Sequence, residues 1–172
     1  GNGDGIGVAG QAQPVFQQNT CENNKGSGIA YFRNAAGFAK NNSCRGNGRH
    51  GIEVSGQAQP VFQQNTCENN KQDGIAYFDN AAGSAINNTC RDNGYHGIQV
   101  SGQAQPVLQQ NTCENNKQDG IAYFDNAAGS AINNTCRGNG DYFIRVYGHG
   151  IGVYGHGIAV SGQAQPVLEQ NT

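Results

Sequence analysis

The sequence of 172 residues contains no methionine and no tryptophan, and only 13% of its residues are charged. Ten lysines and arginines against twelve aspartates and glutamates give a formal net charge of -2, and the basic residues form no cluster. Nucleic acids and anionic membranes attract basic patches, so neither is predicted as a partner. No apolar run approaches the roughly 18 residues that a membrane helix needs, so no membrane span is expected.

The chain is also poor in hydrophobic residues, with a mean hydropathy of -0.64 that is typical of disorder. A strict repeat argues against that interpretation. Cysteines recur every 23 residues without drift, and asparagines keep the same spacing two places before and three places after each cysteine. Such a period indicates a solenoid of stacked coils. The cysteines are Cys21, Cys44, Cys67, Cys90, Cys113 and Cys136.

Each coil is predicted to consist of short strands, because Asn, Gly, Thr and β-branched residues recur where a helix would need Ala, Leu, Glu or Lys. Residues 97–100 alternate inward Ile and Val with an outward Gln. Second and third strands are expected at 106–108 and 111–113. Gly, Asn and Gln fill the corners between them, where unusual backbone angles are needed.

Two coil types alternate and give a second period of 46 residues. One type carries Gln-Ala-Gln-Pro-Val and the other Gly-Ile-Ala-Tyr-Phe; residues 67–89 and 113–135 are identical. A two-coil block has therefore been copied. No linker interrupts the pattern, so a single domain spanning 1–172 is expected, with about seven coils.

The recurring motif Asn-Thr-Cys-x-x-Asn-x-x-x-Gly-Ile, as at 65–75, resembles the right-handed parallel β-helix repeat family, the pectin-lyase-like superfamily in its broad sense. The resemblance covers nearly the whole chain and implies an all-β, right-handed parallel β-helix. Members of this family include polysaccharide lyases, glycosidases, epimerases, adhesins and copper-associated periplasmic proteins. The resemblance therefore implies a fold without choosing a function.

The stacked cysteines are interpreted as small inward hydrophobes in a narrow core, with a disulfide or metal array as the alternative. No cofactor is predicted. Directly after the cysteines, Glu and Arg alternate from coil to coil. This column predicts an ion-pair ladder along the solenoid that also fixes register. Its members are Glu22, Arg45, Glu68, Arg91, Glu114 and Arg137.

A column of polar residues precedes the Ile ladder by two places and holds the only regularly spaced histidines. A His between two Asp side chains could act as a general base or as half of a metal site. The favoured interpretation is a solvated stacking column, on the premise that no Lys or Arg recurs beside it except Arg49. No catalytic residue and no metal site are therefore predicted. The column comprises Asp4, Ser27, His50, Asp73, His96 and Asp119.

An aromatic row is formed by Phe32, Phe78 and Phe124, each following a tyrosine. Strand alternation turns one residue of each Tyr-Phe pair outward. An exposed aromatic row could stack on sugar rings or on a partner, so these three residues are candidate binding residues. The alternative is that each ring only covers a corner of its coil.

One insertion of 14 residues, at about 141–154, interrupts the period after Cys136 and contains a duplicated heptad. Insertions in solenoids often carry specific contacts. Its aromatic and histidine side chains are candidates for binding a partner or a metal, and a protruding β-arm is the favoured interpretation. The candidate residues are Tyr147, His149, Tyr154 and His156.

The favoured functional hypothesis is a structural, non-enzymatic solenoid, extracellular or on the cell surface, that assembles with itself head to tail into a rod. Near-identical repeats, self-complementary ladders and the lack of a capping segment motivate it. The alternative is a carbohydrate-binding or polysaccharide-processing β-helix module, which would use the aromatic row or the His/Asp column and would have a polysaccharide as its partner.

Overall fold

The computed structural model describes residues 3–140 and 157–172, together with the backbone of 144–147 and 150–153. The described residues form an all-β fold whose body is a parallel β-helix of three sheets, to which each of the first six coils contributes three three-residue strands and the last coil contributes two. The fold class predicted from the 23-residue period is confirmed. Coils are numbered so that coil 3 covers 47–69 and coil 5 covers 93–115.

The three sheets are named A, B and C in the order in which a coil visits them. Sheet A contains β1 (Ile6–Val8), β4 (Ile29–Tyr31), β7 (Ile52–Val54), β10 (Ile75–Tyr77), β13 (Ile98–Val100), β16 (Ile121–Tyr123) and β21 (Ile158–Val160). Sheet B contains β2 (Val15–Gln17), β5 (Phe38–Lys40), β8 (Val61–Gln63), β11 (Ser84–Ile86), β14 (Val107–Gln109), β17 (Ser130–Ile132) and β22 (Val167–Glu169). Sheet C contains β3 (Thr20–Glu22), β6 (Ser43–Arg45), β9 (Thr66–Glu68), β12 (Thr89–Arg91), β15 (Thr112–Glu114) and β18 (Thr135–Arg137).

The strands pair in parallel at a constant offset of one coil. Cys90 lies beside Cys67 on one side and Cys113 on the other. Across the insertion the register resumes without a slip, because Ile121 pairs with Ile158 and Ser130 with Val167. The insertion therefore leaves the stacking of sheets A and B intact.

The insertion itself contains an antiparallel hairpin, β19 (Ile144–Tyr147) and β20 (Gly150–Val153). This backbone agrees with the predicted β-arm. Of the candidate residues in the two heptads, His149, Tyr154 and His156 lie outside the described residues, as does the side chain of Tyr147.

Two asparagine ladders fix the corners, as predicted. Asn65 donates from Nδ2 to Oδ1 of Asn88 at 2.9 Å and to the carbonyl of Ala39 at 2.9 Å, while its backbone N–H donates to the same Oδ1. Asn70 repeats this arrangement with Asn93 and Cys44. Each interior amide therefore uses both its donors and its acceptor, which satisfies the polar groups of a buried corner.

The remaining bends rely on left-handed backbone. Gln64, Asn69 and Asp79 follow strands of sheets B, C and A and have φ of 57°, 55° and 57°. Asn, Asp and Gly tolerate this region best, which explains why the corner positions are rich in these residues.

The interior alternates large and small side chains from coil to coil. A coil with an inward tyrosine in sheet A, such as Tyr77, has an alanine, Ala85, at the inward position of sheet B. The coils on either side reverse the sizes, with Val54 against Phe62 and Val100 against Leu108. The two coil types are thus complementary ways of filling one narrow cross-section, which gives the 46-residue period its physical meaning.

The cysteines lie inside sheet C as free thiols. Cys136 is half-buried and the other five are buried. The expectation of core thiols is thereby confirmed. Contacts with the thiols of Cys113 and Cys67, together with burial, raise the pKa of Cys90. A column of glycines packs against this thiol column, as where Gly74 adjoins Cys90.

Within the part of the chain that the structure describes, no helix is long and apolar enough to cross a membrane.

Candidate functional site: the outer face of sheet A

The outer face of sheet A is lined by the middle residue of each strand, because the first and third residues point into the core. Most of these middle residues are small, and two are polar: Glu53 in coil 3 and Gln99 in coil 5. The residues before and after each strand flank this line. The line consists of Gly7, Ala30, Glu53, Ala76, Gln99, Ala122 and Ala159.

The phenylalanine row lies along one margin of this face. Tyr77 and its equivalents point inward and are fully buried, whereas Phe32, Phe78 and Phe124 are half-buried and directed outward. The sequence prediction that one residue of each pair faces outward is thus confirmed, although the rings are only partly exposed.

The histidines lie against these rings. The ring centroids of His50 and Phe78 are 5.4 Å apart with the planes inclined at 60°, and those of His96 and Phe124 are 5.5 Å apart at 56°. The phenylalanine row and the His/Asp column are predicted as separate features, and the structure shows that they are in contact. Ala76 is fully buried between the two margins of the face.

Each histidine is also paired with an aspartate of the next coil. Nδ1 of His50 lies 3.1 Å from Oδ2 of Asp73, and Nδ1 of His96 lies 3.2 Å from Oδ2 of Asp119. The backbone N–H of His96 donates to Oδ1 of Asp73 at 2.8 Å. These four residues are all buried, with exposures of 5% or less. The interpretation of this column as solvated is therefore wrong: the aromatic rings and the stacked coils cover it.

Nδ1 of each histidine accepts a hydrogen bond from the backbone of the aspartate beside it. The N–H of Asp73 donates to Nδ1 of His50 at 3.4 Å, and the N–H of Asp119 donates to Nδ1 of His96 at 3.2 Å. Oδ2 of Asp73 lies 3.1 Å from Nδ1 of His50 but has no hydrogen-bond partner among the described residues. A neutral imidazole whose Nδ1 accepts a hydrogen bond carries its proton on Nε2.

Coil 3 departs from the repeat at a buried carboxylate. Glu53 is 5% exposed; its Oε2 accepts a hydrogen bond from Ser27 Oγ at 2.7 Å and lies 3.3 Å from Nη1 of Arg49. Glu53 and Arg49 occur at positions that hold other residues in every other coil. Sequence analysis noted Arg49 but missed Glu53, although a unique charge inside a near-perfect repeat is a readable signal.

A row of lysines was also missed. Lys25, Lys71 and Lys117 stand two places before the His/Asp column, recur every two coils and are exposed. The premise that only Arg49 lies near the column in sequence is therefore wrong. Glycines occupy the equivalent position in the coils between them, as at Gly48 and Gly94.

The predicted ion-pair ladder on sheet C is discontinuous. Arg45 pairs with Glu22 at 2.8 Å, Arg91 donates from Nε to Glu68 at 2.8 Å, and Arg137 donates to Glu114 at 2.7 Å. In the described residues, each arginine pairs only with the preceding coil, so there are three separate pairs. An extended side chain that grips one carboxylate through two nitrogens cannot also reach the next coil.

Over the described residues, no group of three or more His, Cys, Asp or Glu side chains is arranged to hold a metal ion. The side chains on this face are aromatic rings, an imidazole beside a carboxylate, and a buried carboxylate beside a cation.

Comparison with known proteins agrees with this architecture. The model of the right handed beta helix region matches residues 4–172. The chain belongs to the right-handed β-helix family. The handedness implied by the sequence resemblance is thus confirmed. A search of curated protein sequences finds no match.

Solved structures of the same fold are similar over most of the chain. The periplasmic alginate epimerase AlgG aligns with a TM-score of 0.73 over 98% of this chain and 47% of the AlgG chain, at 15% identity. A single-residue mutant of AlgG aligns with a TM-score of 0.73 over 77% of this chain and 32% of the mutant, at 22% identity. This β-helix chain therefore spans less than half the length of these proteins, and the likeness concerns the fold.

Proposed function

We propose that the outer face of sheet A binds a polysaccharide and that the chain is the β-helix part of a polysaccharide-processing protein. The observation that carries the proposal is the packing of half-exposed Phe78 and Phe124 on the histidines of two buried His–Asp pairs. Exposed aromatic surfaces stack on sugar rings, and polar groups of the same face can bond to sugar hydroxyl and carboxylate groups.

The groups of coil 3 could also move a proton. Nδ1 of His50 accepts the backbone N–H of Asp73 and lies beside the Asp73 carboxylate, which leaves Nε2 as the nitrogen that can exchange a proton with a sugar. Glu53 lies on the same face with Arg49 beside it. An imidazole next to a carboxylate is suited to general acid–base catalysis, and an arginine stabilises negative charge. A small shift of the Phe78 ring is needed to bring a sugar to the imidazole, because His50 is 3% exposed.

The similar structures support this assignment over a purely structural role. AlgG is described as an alginate epimerase, a polysaccharide-processing enzyme, and as periplasmic. Enzymatic activity, which the sequence alone did not favour, therefore belongs to the proposal. A place outside the cytoplasm, whether extracellular or at the cell surface, accords with a periplasmic relative in fold.

Alginate is the first polysaccharide to test, with dextran as a neutral comparison. We expect binding by isothermal titration calorimetry, and at least a tenfold loss of affinity in the double variant Phe78→Ala/Phe124→Ala. The control is Val107→Ala, which truncates an exposed apolar side chain on sheet B. Turnover is followed on the same polymer by NMR of its sugar protons, and His50→Ala should abolish it.

Two results would contradict the proposal. Absence of binding to a panel of acidic and neutral polysaccharides would remove the binding function. Equal loss in the Phe78→Ala/Phe124→Ala and Val107→Ala variants, with unchanged melting temperatures, would place the sugar elsewhere on the solenoid.

Head-to-tail assembly is the second candidate function. The ladders favour it, because every coil joins the next through the same translation-related bonds, such as Asn65 to Asn88 and Asn88 to Asn111. Repetition of one such contact between molecules would generate an open rod. Negative-stain microscopy at rising concentration tests it, and dispersed particles of constant length would refute it.

A further inference from the structure

We infer that the outer face of sheet A carries two unequal copies of one sugar-binding subsite, and that a single linear polysaccharide lies along the solenoid axis across both. This inference rests on the proposed function. The charged subsite comprises His50, Asp73, Phe78, Arg49 and Glu53. The neutral subsite comprises His96, Asp119, Phe124, Tyr95 and Gln99.

The two subsites share one frame. The His–Asp distances are 3.1 and 3.2 Å, the His–Phe centroid distances are 5.4 and 5.5 Å, and the ring inclinations are 60° and 56°. The same aromatic and imidazole surfaces are therefore presented twice, 46 residues apart.

The copies differ at one exposed position and at one position inside the strand. Arg49, with half of its side chain exposed, is replaced in coil 5 by Tyr95, which is 45% exposed. The buried carboxylate of Glu53 is replaced by the half-buried amide of Gln99. One copy thus has an exposed cation beside a buried carboxylate, and the other an exposed aromatic ring and a half-buried amide.

These differences are coupled through the preceding coil. Ser27 supplies the hydroxyl that donates to Glu53. Its equivalent for coil 5 is Asp73, a carboxylate that cannot donate when ionised. A carboxylate at Gln99 would therefore lack this donor and would face a like charge, whereas an amide is compatible. Gln99 makes no side-chain hydrogen bond to a described residue, so its amide is available to a ligand.

The spacing suits an extended polymer. Subsites two coils apart are separated by about 9.6 Å along the axis, since parallel strands stack at about 4.8 Å. Two units of an extended 1,4-linked sugar chain cover a similar length, and in a chain of two-fold character every second unit presents the same face. A polysaccharide parallel to the axis therefore offers equivalent sugars to Phe78 and Phe124. The charged subsite binds the sugar that reacts, and the neutral subsite binds another sugar of the same polysaccharide.

The test uses 1,4-linked uronate oligosaccharides from the disaccharide to the octasaccharide with the full chain. Affinity should rise at least tenfold once the ligand reaches both subsites. The variant Tyr95→Ala/Gln99→Ala should lose this gain and bind the disaccharide within twofold of the parent. Arg49→Ala should weaken ligands of every length. Melting temperatures establish that each variant is folded.

Histidine NMR gives a second readout that does not depend on affinity. The disaccharide should shift the ring signals of His50 alone, and long ligands those of His50 and His96. Length-independent affinity, or unchanged binding of long ligands by Tyr95→Ala/Gln99→Ala, overturns the two-subsite inference while leaving polysaccharide binding intact. Failure of the parent chain to bind any oligosaccharide or polysaccharide overturns both.

Discussion

At the scale of single residues, the core contains three tyrosine hydroxyl groups that the packing of the rings does not explain. The hydroxyls of Tyr31, Tyr77 and Tyr123 are buried and have no hydrogen-bond partner among the described residues. Burial raises the pKa of Tyr77, so its hydroxyl stays neutral. A buried hydroxyl without a partner has lost its bonds to water without replacement, which opposes folding.

Removing this hydroxyl should therefore stabilise the protein. We expect Tyr77→Phe to raise the free energy of unfolding by about 1 kcal/mol, measured by urea denaturation. The exposed Tyr95→Phe is the control and should change it by less than about 0.5 kcal/mol. A loss of stability in Tyr77→Phe would show that its hydroxyl has a partner in solution.

The glycine column beside the thiols is a second residue-scale feature. A Cβ atom added at Gly74 would lie 2.6 Å from the carbonyl oxygen of Gly97 and 2.7 Å from Cβ of Cys90. Gly97 belongs to the next coil and Cys90 to sheet C of the same coil, so neither can move independently of the stack. The glycine is therefore required by close approach of the backbone.

Gly74→Ala should accordingly reduce the free energy of unfolding by about 1–3 kcal/mol, the usual cost of overpacking. Gly7→Ala in the same sheet is a matched control, since nothing lies within 4 Å of a Cβ atom there. Alanine already occupies the equivalent position in Ala30 and Ala76, so this control should melt at the parent temperature. Equal melting temperatures for the two variants would refute the packing argument.

At the scale of elements, the asparagine ladders supply hydrogen bonds between coils at the corners, where the chain forms no strand. Asn93 donates from Nδ2 to Oδ1 of Asn116 at 2.9 Å and to the carbonyl of Cys67 at 3.1 Å, and its Oδ1 accepts from Asn70. Aspartate has the same shape without the two donors. It would place a carboxylate oxygen against two acceptors inside the protein.

Asn93→Asp should therefore lower the free energy of unfolding by about 2 kcal/mol or more, the cost of leaving buried acceptors unpaired. Asn126→Asp, at an exposed position, is the control for added negative charge. Thermal melts over a range of pH should show a loss that grows as the pH rises, because burial beside two acceptors favours the protonated carboxyl. If both variants melt alike, the ladder contributes little beyond its shape.

These elements also show how far the sequence predicts the structure. The strands, corners and ladders follow from the period, because stacking forces equivalent residues into one column. The period does not predict which residues of two different columns contact each other. The contact between His50 and Phe78 depends on how far two side chains reach over the strand between them, and burial of the His/Asp column is a consequence of that reach.

The ion pairs on the surface of sheet C also follow only in part from the period. Alternating signs are compatible with bonds in both directions, and the structure uses one, from Arg91 back to Glu68. Rotamers select between the two directions, and a sequence period carries no rotamer information. Glu53 cannot be predicted from the period for another reason, since it occurs in one coil only and a period describes what the coils share.

At the scale of the whole molecule, the reactivity of the cysteine thiols measures how often the stacked coils separate. Cys136 is half-buried, whereas the other five cysteines lie in the core. Each coil is stabilised mainly by its neighbours, so a core thiol becomes accessible only when coils separate.

Ellman's reagent should therefore modify one thiol rapidly in the native protein and all six in 6 M guanidinium. Cys136→Ser should remove the rapid phase and leave the slow one unchanged. Rapid reaction of several thiols in the native state would mean that the coils open readily.

The insertion tests whether stacking alone specifies the solenoid. Ile158 and Val167 pair with Ile121 and Ser130 as in a regular coil, although 37 residues separate each pair. Removing 141–154 restores a spacing of 23 and joins Gly140 to the Gly-His-Gly sequence that precedes Ile158. The joined sequence keeps the arrangement of 94–98, where Gly94 and Tyr95 precede His96, Gly97 and Ile98.

Deletion of 141–154 should therefore preserve the β-sheet circular dichroism and change the melting temperature by only a few degrees. Deletion of 95–108, of equal length but taken from regular coils, is the control. It shifts every following residue out of its column, breaking both asparagine ladders and placing core residues at corners, and should abolish cooperative melting. If removal of 141–154 is as damaging as this control, the hairpin is part of the folding unit, and nearest-neighbour stacking does not suffice to specify the fold.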